Sequence, residues 1–372
     1  MKTSFEQALA MFTSDDLIGI GSEADFLRRQ LHPGDAITYI VDRNINYTNF
    51  CTEYCSFCAF YRPMGSKEGY VLSLDTIFQK IEEMISLGGT GILLQGGLHS
   101  ELKIDYYENL LQSIHDRFPQ VHLHCFSAPE ILNIAEISDL TLSETLLRLR
   151  DSGLVSIPGG GAEILDDEVR NRIARLKCTS EQWLSVHRNA HKLGMRTTAT
   201  MMFGCGETSR HRVNHLEAIR RLQEETGGFT AFIPWAFQPP NTPLGHTVKE
   251  QATAVDYLKT LAISRIYLDN VLNIQASWLT PGPKIMQVGL RFGGNDVGSV
   301  LIEENVVRAA GVSRTASEGD LRRIIRDAGF RPVKRDTLYR TYFMDEKEDA
   351  SENSVDGLIP PSNSELTVWT TS

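Results

Sequence analysis

The sequence lacks a run of about 18 apolar residues, so no stretch of it is expected to cross a membrane. It also lacks an apolar signal core behind Met1, and the expectation is a cytoplasmic protein whose thiols stay reduced. Clustered Lys and Arg are missing: 37 basic residues face 47 acidic ones, a net charge of −10. Phosphate backbones are bound by clustered cations, which argues against nucleic acid as a main partner. Cysteine is scarce, with six in 372 residues, too few and too scattered for a disulfide framework. No internal repeat rises above a βα period. What remains is ordinary soluble composition, 41% apolar and 23% charged, in a chain long enough for one large barrel or two domains.

Half of the cysteines stand together. Cys51, Cys55 and Cys58 form Cys-x3-Cys-x2-Cys, with Phe57 just before the last thiol. Three thiolates in one tight loop are soft ligands suited to an iron–sulfur cluster or to zinc. A closed structural zinc site takes four protein ligands. No Cys or His follows Cys58 before His99, so the fourth has no local source. Three ligands leave one metal corner open for chemistry. The bland readings are a zinc-binding structural protein and thiols packed as small hydrophobes, which is how Cys125, Cys178 and Cys205 are read.

Taken in order, Thr3–Leu31 reads as helical. Ser4 is a cap, Ala8, Met11 and Phe12 face inward, and a second short helix over Glu23–Leu31 ends at His32-Pro33-Gly34. Strand candidates follow at Ile37–Val41, Ile92–Gln95, Val121–Phe126, Leu154–Ile157, Thr197–Phe203, Phe229–Phe237, Ile274–Trp278 and Val297–Ile302. Helical patterns lie between most of them, at the spacing of βα units. The expected fold is α/β, a (β/α)8 TIM-type barrel, with a six-strand partial barrel as the alternative. The expected division is an N-terminal helical segment over 1–34, the barrel over 35–311, a helical extension over 312–343 and a disordered acidic tail over 344–372.

Barrels gather their chemistry behind the C-terminal ends of the strands. The cysteine loop follows the first strand. Gly96-Gly97, before Leu98 and His99, follows the second, where missing side chains let backbone approach a ligand. Gly159-Gly160-Gly161-Ala162-Glu163 follows the fourth; Glu163 is either a ligand carboxylate or a first-turn acid. Gly204-Cys205-Gly206-Glu207 follows the fifth, and the lysine of a phosphate loop is missing from it. Gln275, Asn295 and Asp296 sit on later strand ends and are candidates for substrate recognition, each nearly as well read as a turn group.

The cysteine spacing, with the aromatic before the third thiol and Gly96-Gly97 behind the next strand, resembles the radical S-adenosylmethionine (SAM) superfamily. Further stretches resemble its branch on the futalosine route to menaquinone: Asp42 to Asn49, Ala59-Phe60-Tyr61-Arg62, Gly159 to Leu165, Thr198 to Gly204, and Arg291 to Asp296. The likeness runs from about Ile37 to Tyr342. Ser56 departs from the basic residue usual between the second and third cysteines.

This resemblance implies a 4Fe–4S cluster on Cys51, Cys55 and Cys58, with SAM on the fourth iron, cleaved to a 5′-deoxyadenosyl radical that abstracts a hydrogen atom. It implies Gly96 and Gly97 at the SAM ammonium group, Glu163 at its ribose hydroxyls, and Phe57, Gly204 and Glu207 near its adenine. The implied substrate is dehypoxanthine futalosine, a ribose joined to a benzoate, which loses its C4′ hydrogen and closes onto its own aromatic ring. Substrate candidates are Asn46, His99, Gln275, Asn295 and Asp296, the last as a late proton acceptor, with Arg62 and Arg291 as benzoate cations. The implied electron donor is a protein such as flavodoxin or ferredoxin. Two sister activities share the scaffold, aminofutalosine synthase and the tyrosine-using subunit of F0 synthase.

Overall fold

Two capped helices come first in the computed structural model, which describes residues 2–339 and 342–343. The Ser4 hydroxyl accepts the Gln7 N–H and the Gln7 side chain accepts the Ser4 N–H, a capping box that starts Phe5–Thr13. The second helix, Leu17–Leu31, begins well before the expected Glu23, because the Asp16 carboxylate caps it through the Gly19 N–H. The tail expected over 344–372 lies outside the described residues. Among the described residues no helix is long and apolar enough to cross a membrane.

All eight expected strands are present. They are β1 (Ala36–Ile40), which runs on into a further strand β2 (Asp42–Asn46), and then β3 (Gly91–Gln95), β4 (His122–Cys125), β5 (Ser156–Ile157), β6 (Arg196–Phe203), β7 (Phe229–Ala236), β8 (Asn273–Ile274) and β9 (Asp296–Ser299), the eight being β1 and β3 to β9. β2 to β8 form one parallel sheet in chain order. A parallel bridge from Gln275 to Asp296 carries the sheet from β8 to β9, and β9 pairs in parallel with β1. Since β1 passes into β2 through Val41 alone, the eight positions close into a ring. The barrel expectation holds and the six-strand alternative does not.

Three strands were not expected. β2 lies inside the stretch read as a loop, yet it pairs residue by residue with β3, from Asp42 on Gly91 to Asn46 on Gln95. Its inward positions are polar: Asp42, Asn44 and Asn46 face the barrel interior, while Ile45 and Tyr47 are fully buried on the other side. A strand with polar residues toward the cavity shows no apolar run. β10 (Arg331–Arg335) is equally charged and pairs in parallel with β1, and β11 (Tyr342–Phe343) adds to it antiparallel. The extension beyond the barrel thus contributes a strand beside β1. The helix before it, Glu318–Asp327, starts from a Ser317 capping box.

Candidate active site

The cysteine loop is held almost entirely by backbone. Cys51 N–H donates to Arg62 O at 3.0 Å, Arg62 N–H to Asn49 O at 2.7 Å, Thr52 N–H to Leu98 O at 3.1 Å, and Ser56 N–H to Ile173 O at 2.9 Å. Ser56 also donates its hydroxyl to Ile173 O at 2.8 Å, so the serine that departs from the family pattern staples the loop to the helix Asp167–Ile173. A Cβ on Gly97 would stand 2.2 Å from Phe50 O and 2.7 Å from Cys51 Cβ, and only glycine permits that approach. Glu130 anchors the Gly96 side. Its carboxylate accepts from Gly96 N–H and the Tyr47 hydroxyl, both at 2.9 Å, and from the backbone and side chain of Ser127.

The donor set is three thiols on one wall of the cavity, soft ligands suited to an iron–sulfur cluster. Burial raises the pKa of Cys51 and pushes Cys55 up to about 12, with the Lys177 cation working against it. A bound metal takes over that stabilisation of the thiolates.

Beside the loop, Glu163 adopts a left-handed backbone with φ of 41°. Its Oε1 takes the Lys177 ammonium at 2.8 Å, while Oε2 is buried without a partner among the described residues. Burial works against the Lys177 cation, but Glu163 and Cys55 outweigh it and hold its pKa above the ordinary value. The same ammonium stands 5.4 Å from the Phe57 ring centre. The orphaned Oε2 is an acceptor waiting for a donor, as a ribose hydroxyl would be.

A cavity of about 470 Å³ runs from this loop down the barrel. The three cysteines, Asn46, Phe57, Gly96, Gly97, Glu163 and Gln275 line it, so these sequence candidates are brought together. The others are not. His99 is buried under the Phe50 ring and its Nδ1 accepts the Glu101 N–H. Glu207 takes the N–H groups of Gly204 and Cys205 and pairs with Arg212 at 2.7 Å, so it closes its own turn. Asn295 accepts from Arg265 and from Ile274 N–H. Asp296 is the counter-ion of Arg335 and accepts from the Thr38 hydroxyl and Gly298 N–H, which corrects its reading as a free proton acceptor. Arg62 bonds Glu68 and neighbouring carbonyls, and Arg291 stacks on Phe330; both lie outside the cavity, which corrects their reading as benzoate cations.

Sequence reasoning missed Glu130, Lys177, Asp42 and Arg335, all in the lining. Only Glu130 carried a readable signal, the Ser-x-x-Glu capping box from Ser127.

A closed parallel barrel with a three-thiol loop behind its first strand defines an enzyme that works at an open-cornered metal cluster. Comparison with known proteins narrows the class. Residues 45–219 match the radical SAM superfamily, and residues 226–348 match the CofH/MqnC C-terminal region. Cyclic dehypoxanthine futalosine synthase of Halalkalibacterium halodurans is 47% identical over 351 residues, 94% of each chain. A 5-amino-6-(D-ribitylamino)uracil–L-tyrosine 4-hydroxyphenyl transferase of Methanococcoides burtonii is 44% identical over 83% of this chain and 87% of its own. The crystal structure of methylornithine synthase superposes with a TM-score of 0.68 at 18% identity, over 89% of this chain and 94% of that one, a likeness of fold. The chain belongs to the radical SAM superfamily and is one of its enzymes, with a 4Fe–4S cluster and SAM as cofactors.

Proposed function

We propose that this enzyme converts dehypoxanthine futalosine to its cyclic form on the futalosine route to menaquinone, in the cytoplasm. The observation that carries the proposal is the near full-length identity of 47% to a synthase of that name. The cavity supports it: its lining runs from the three cysteines to Asp42, Ser299 and Arg335, and its volume of about 470 Å³ has room for a ribose and an aromatic ring. When bound, the cluster and SAM supply hydrogen-atom abstraction. The chain supplies the rest. Cys51, Cys55 and Cys58 ligate the cluster, and backbone at Gly96 and Gly97 lies against SAM. Glu163 Oε2 accepts from a ribose hydroxyl of SAM, and Phe57 flanks the adenine. Asn46 and Gln275 offer amides to substrate hydroxyls. Leu93, Ile233, Trp235 and Trp278 form apolar wall that excludes water and stray hydrogen donors. A small reducing protein such as flavodoxin or ferredoxin supplies the electron.

The test is incubation of reconstituted enzyme with dehypoxanthine futalosine, SAM and a reductant, followed by mass spectrometry. The expected products are deoxyadenosine and a compound two hydrogens lighter than the substrate. A second reading, transfer of a tyrosine-derived group to a pyrimidine, draws on the 44% identity to the archaeal transferase. Turnover of tyrosine with the aminouracil, and none of the futalosine derivative, would replace the first reading with the second.

A further inference from the structure

Two side chains of fixed positive charge line the cavity among the described residues, Lys177 and Arg335. They stand at different depths. Lys177 lies over Phe57 in the cysteine loop and is matched by Glu163. Arg335 ends β10 one residue beyond the Tyr39–Lys334 pair, level with the passage of β1 into β2. From Ile40, opposite Arg335, to Asn46, where the cysteine loop departs, six residues of strand climb about 20 Å. Arg335 therefore belongs to the floor.

The Arg335 guanidinium is held rigidly and, among the described residues, is not saturated. Nε and Nη2 donate to Asp296 at 2.5 and 3.0 Å, Nη1 donates to Asp336 O at 3.0 Å, and the Tyr339 ring stacks 3.8 Å away. Three of its five N–H groups are thus engaged, which leaves one on each terminal nitrogen. A fork fixed in this way suits a planar carboxylate. Asp296 already matches the charge, so a second anion needs a neighbour that can become neutral. Asp42 is that neighbour: it faces the cavity, takes the Ser299 hydroxyl, and is pushed up to about 6 by burial.

We propose that Arg335, with Asp42 and Ser299 beside it, is the subsite for the aryl carboxylate of the substrate. The molecule then stands with its benzoate on the floor and its ribose at the cysteine loop, where the C4′ hydrogen must be. This inference rests on the futalosine reading of the same cavity.

The test is binding, read by quenching of Trp235 and Trp278 in the wall of the reconstituted enzyme with SAM and no reductant. The probes are dehypoxanthine futalosine and its carboxamide. The wild type is expected to bind the carboxamide at least tenfold more weakly, and Arg335→Gln to bind the two within twofold of each other. A wild-type ratio near one overturns the proposal, as does an Arg335→Gln variant that keeps the wild-type ratio. If Arg335→Gln does not fold, as read by circular dichroism, Arg335→Lys and Lys177→Met decide. Arg335→Lys should cut the ratio at least threefold and Lys177→Met should keep it; the reverse pattern gives the carboxylate to Lys177 and ends the proposal. Failure of the wild type to make cyclic product while still discriminating the probes would sink the reaction assignment and leave the carboxylate site standing.

Discussion

At the cysteine end the cavity is walled by backbone: loop amides on the carbonyls of Asn49, Arg62, Leu98 and Ile173, and Gly97 against Phe50. At the floor it is walled by side chains from strands far apart in the chain, Asp42 on β2, Ser299 on β9 and Arg335 on β10, the last held from behind by Asp296. The upper end must present three thiolates at fixed spacing, which short local turns can do. The lower end must recognise a substrate, and charged side chains gathered from distant strands do that. The cysteine loop is therefore held mainly by main-chain bonds, with Glu130 and the Lys177–Glu163 pair beside it, while the floor depends on each charge having its partner.

The largest effect should come from the ligands. Cys51→Ser leaves two thiolates for the cluster, and the enzyme is expected to lose all activity and most of its bound iron and sulfide. Its fold should survive, because the loop is held by main-chain bonds that the sulfur does not make. Iron content and thermal melting check the two halves. A melting point lowered by more than several degrees would break the contrast, since it would make the thiol part of the fold.

Asp296→Asn should produce the opposite pattern. It strips the buried Arg335 of its counter-ion, and loss of one partner of a buried pair costs roughly 3–5 kcal/mol. The denaturation midpoint should fall markedly, while iron bound per folded molecule stays near that of the wild type. Loss of the cluster in folded Asp296→Asn would show that the two ends are not separable.

These two ends also differ in how far the sequence discloses them. The cysteine spacing, Gly96-Gly97 and Glu163 lie in contiguous motifs, and the strands behind them are apolar runs at a regular interval; both kinds of signal are local. β2 and β10 escaped notice because their cavity-facing residues are polar and charged, which hides the alternation. Arg335 meets Asp296 across 39 positions and Asp42 meets Ser299 across 257, so no window contains either pair. Arg291 and Arg62 were attractive as cations only because they sat near motifs, and nearness in sequence said nothing of which side of the barrel they face.

Gly97→Ala sharpens the account of the upper end. The added methyl would meet backbone at 2.2 Å, which cannot swing away as a side chain tip would. Overpacking of this kind costs about 1–3 kcal/mol. Here it should emerge as a roughly tenfold or greater fall in SAM affinity or cluster loading, because the displaced atoms belong to Phe50 and Cys51. Gly319→Ala is the control: it lies in the helix Glu318–Asp327, where the nearest atom is 3.8 Å from the new Cβ, and it should be neutral or slightly stabilising. Equal losses in the two variants would remove the special status of the glycine turn.

The smallest effect, and the finest probe of the floor, is Ser299→Ala. Its hydroxyl donates to Asp42 and accepts the Leu301 N–H. Burial raises Asp42 to about 6 and Asp296 pushes the same way, while the Ser299 bond and the Arg335 cation pull it down. Removing the hydroxyl deletes a bond made to the ionised carboxylate, so the Asp42 pKa must rise further. A bound aryl carboxylate needs Asp42 protonated, so substrate affinity in the wild type should weaken as pH climbs above about 6. In Ser299→Ala that decline should begin at higher pH, and at neutral pH the gain in protonated Asp42 should offset part of the lost hydrogen bond, leaving a change of about threefold or less. His124 also lines the cavity, but burial lowers it to about 3, so it stays neutral across this range; burial also raises Glu53, Glu130 and Glu304 in the same lining, so the shift between the two proteins, not the wild-type profile alone, reports Asp42. Substrate dissociation constants from pH 5.5 to 8.5 for both proteins check the sign. A decline that shifts to lower pH in Ser299→Ala would mean that some other group sets the charge of the floor.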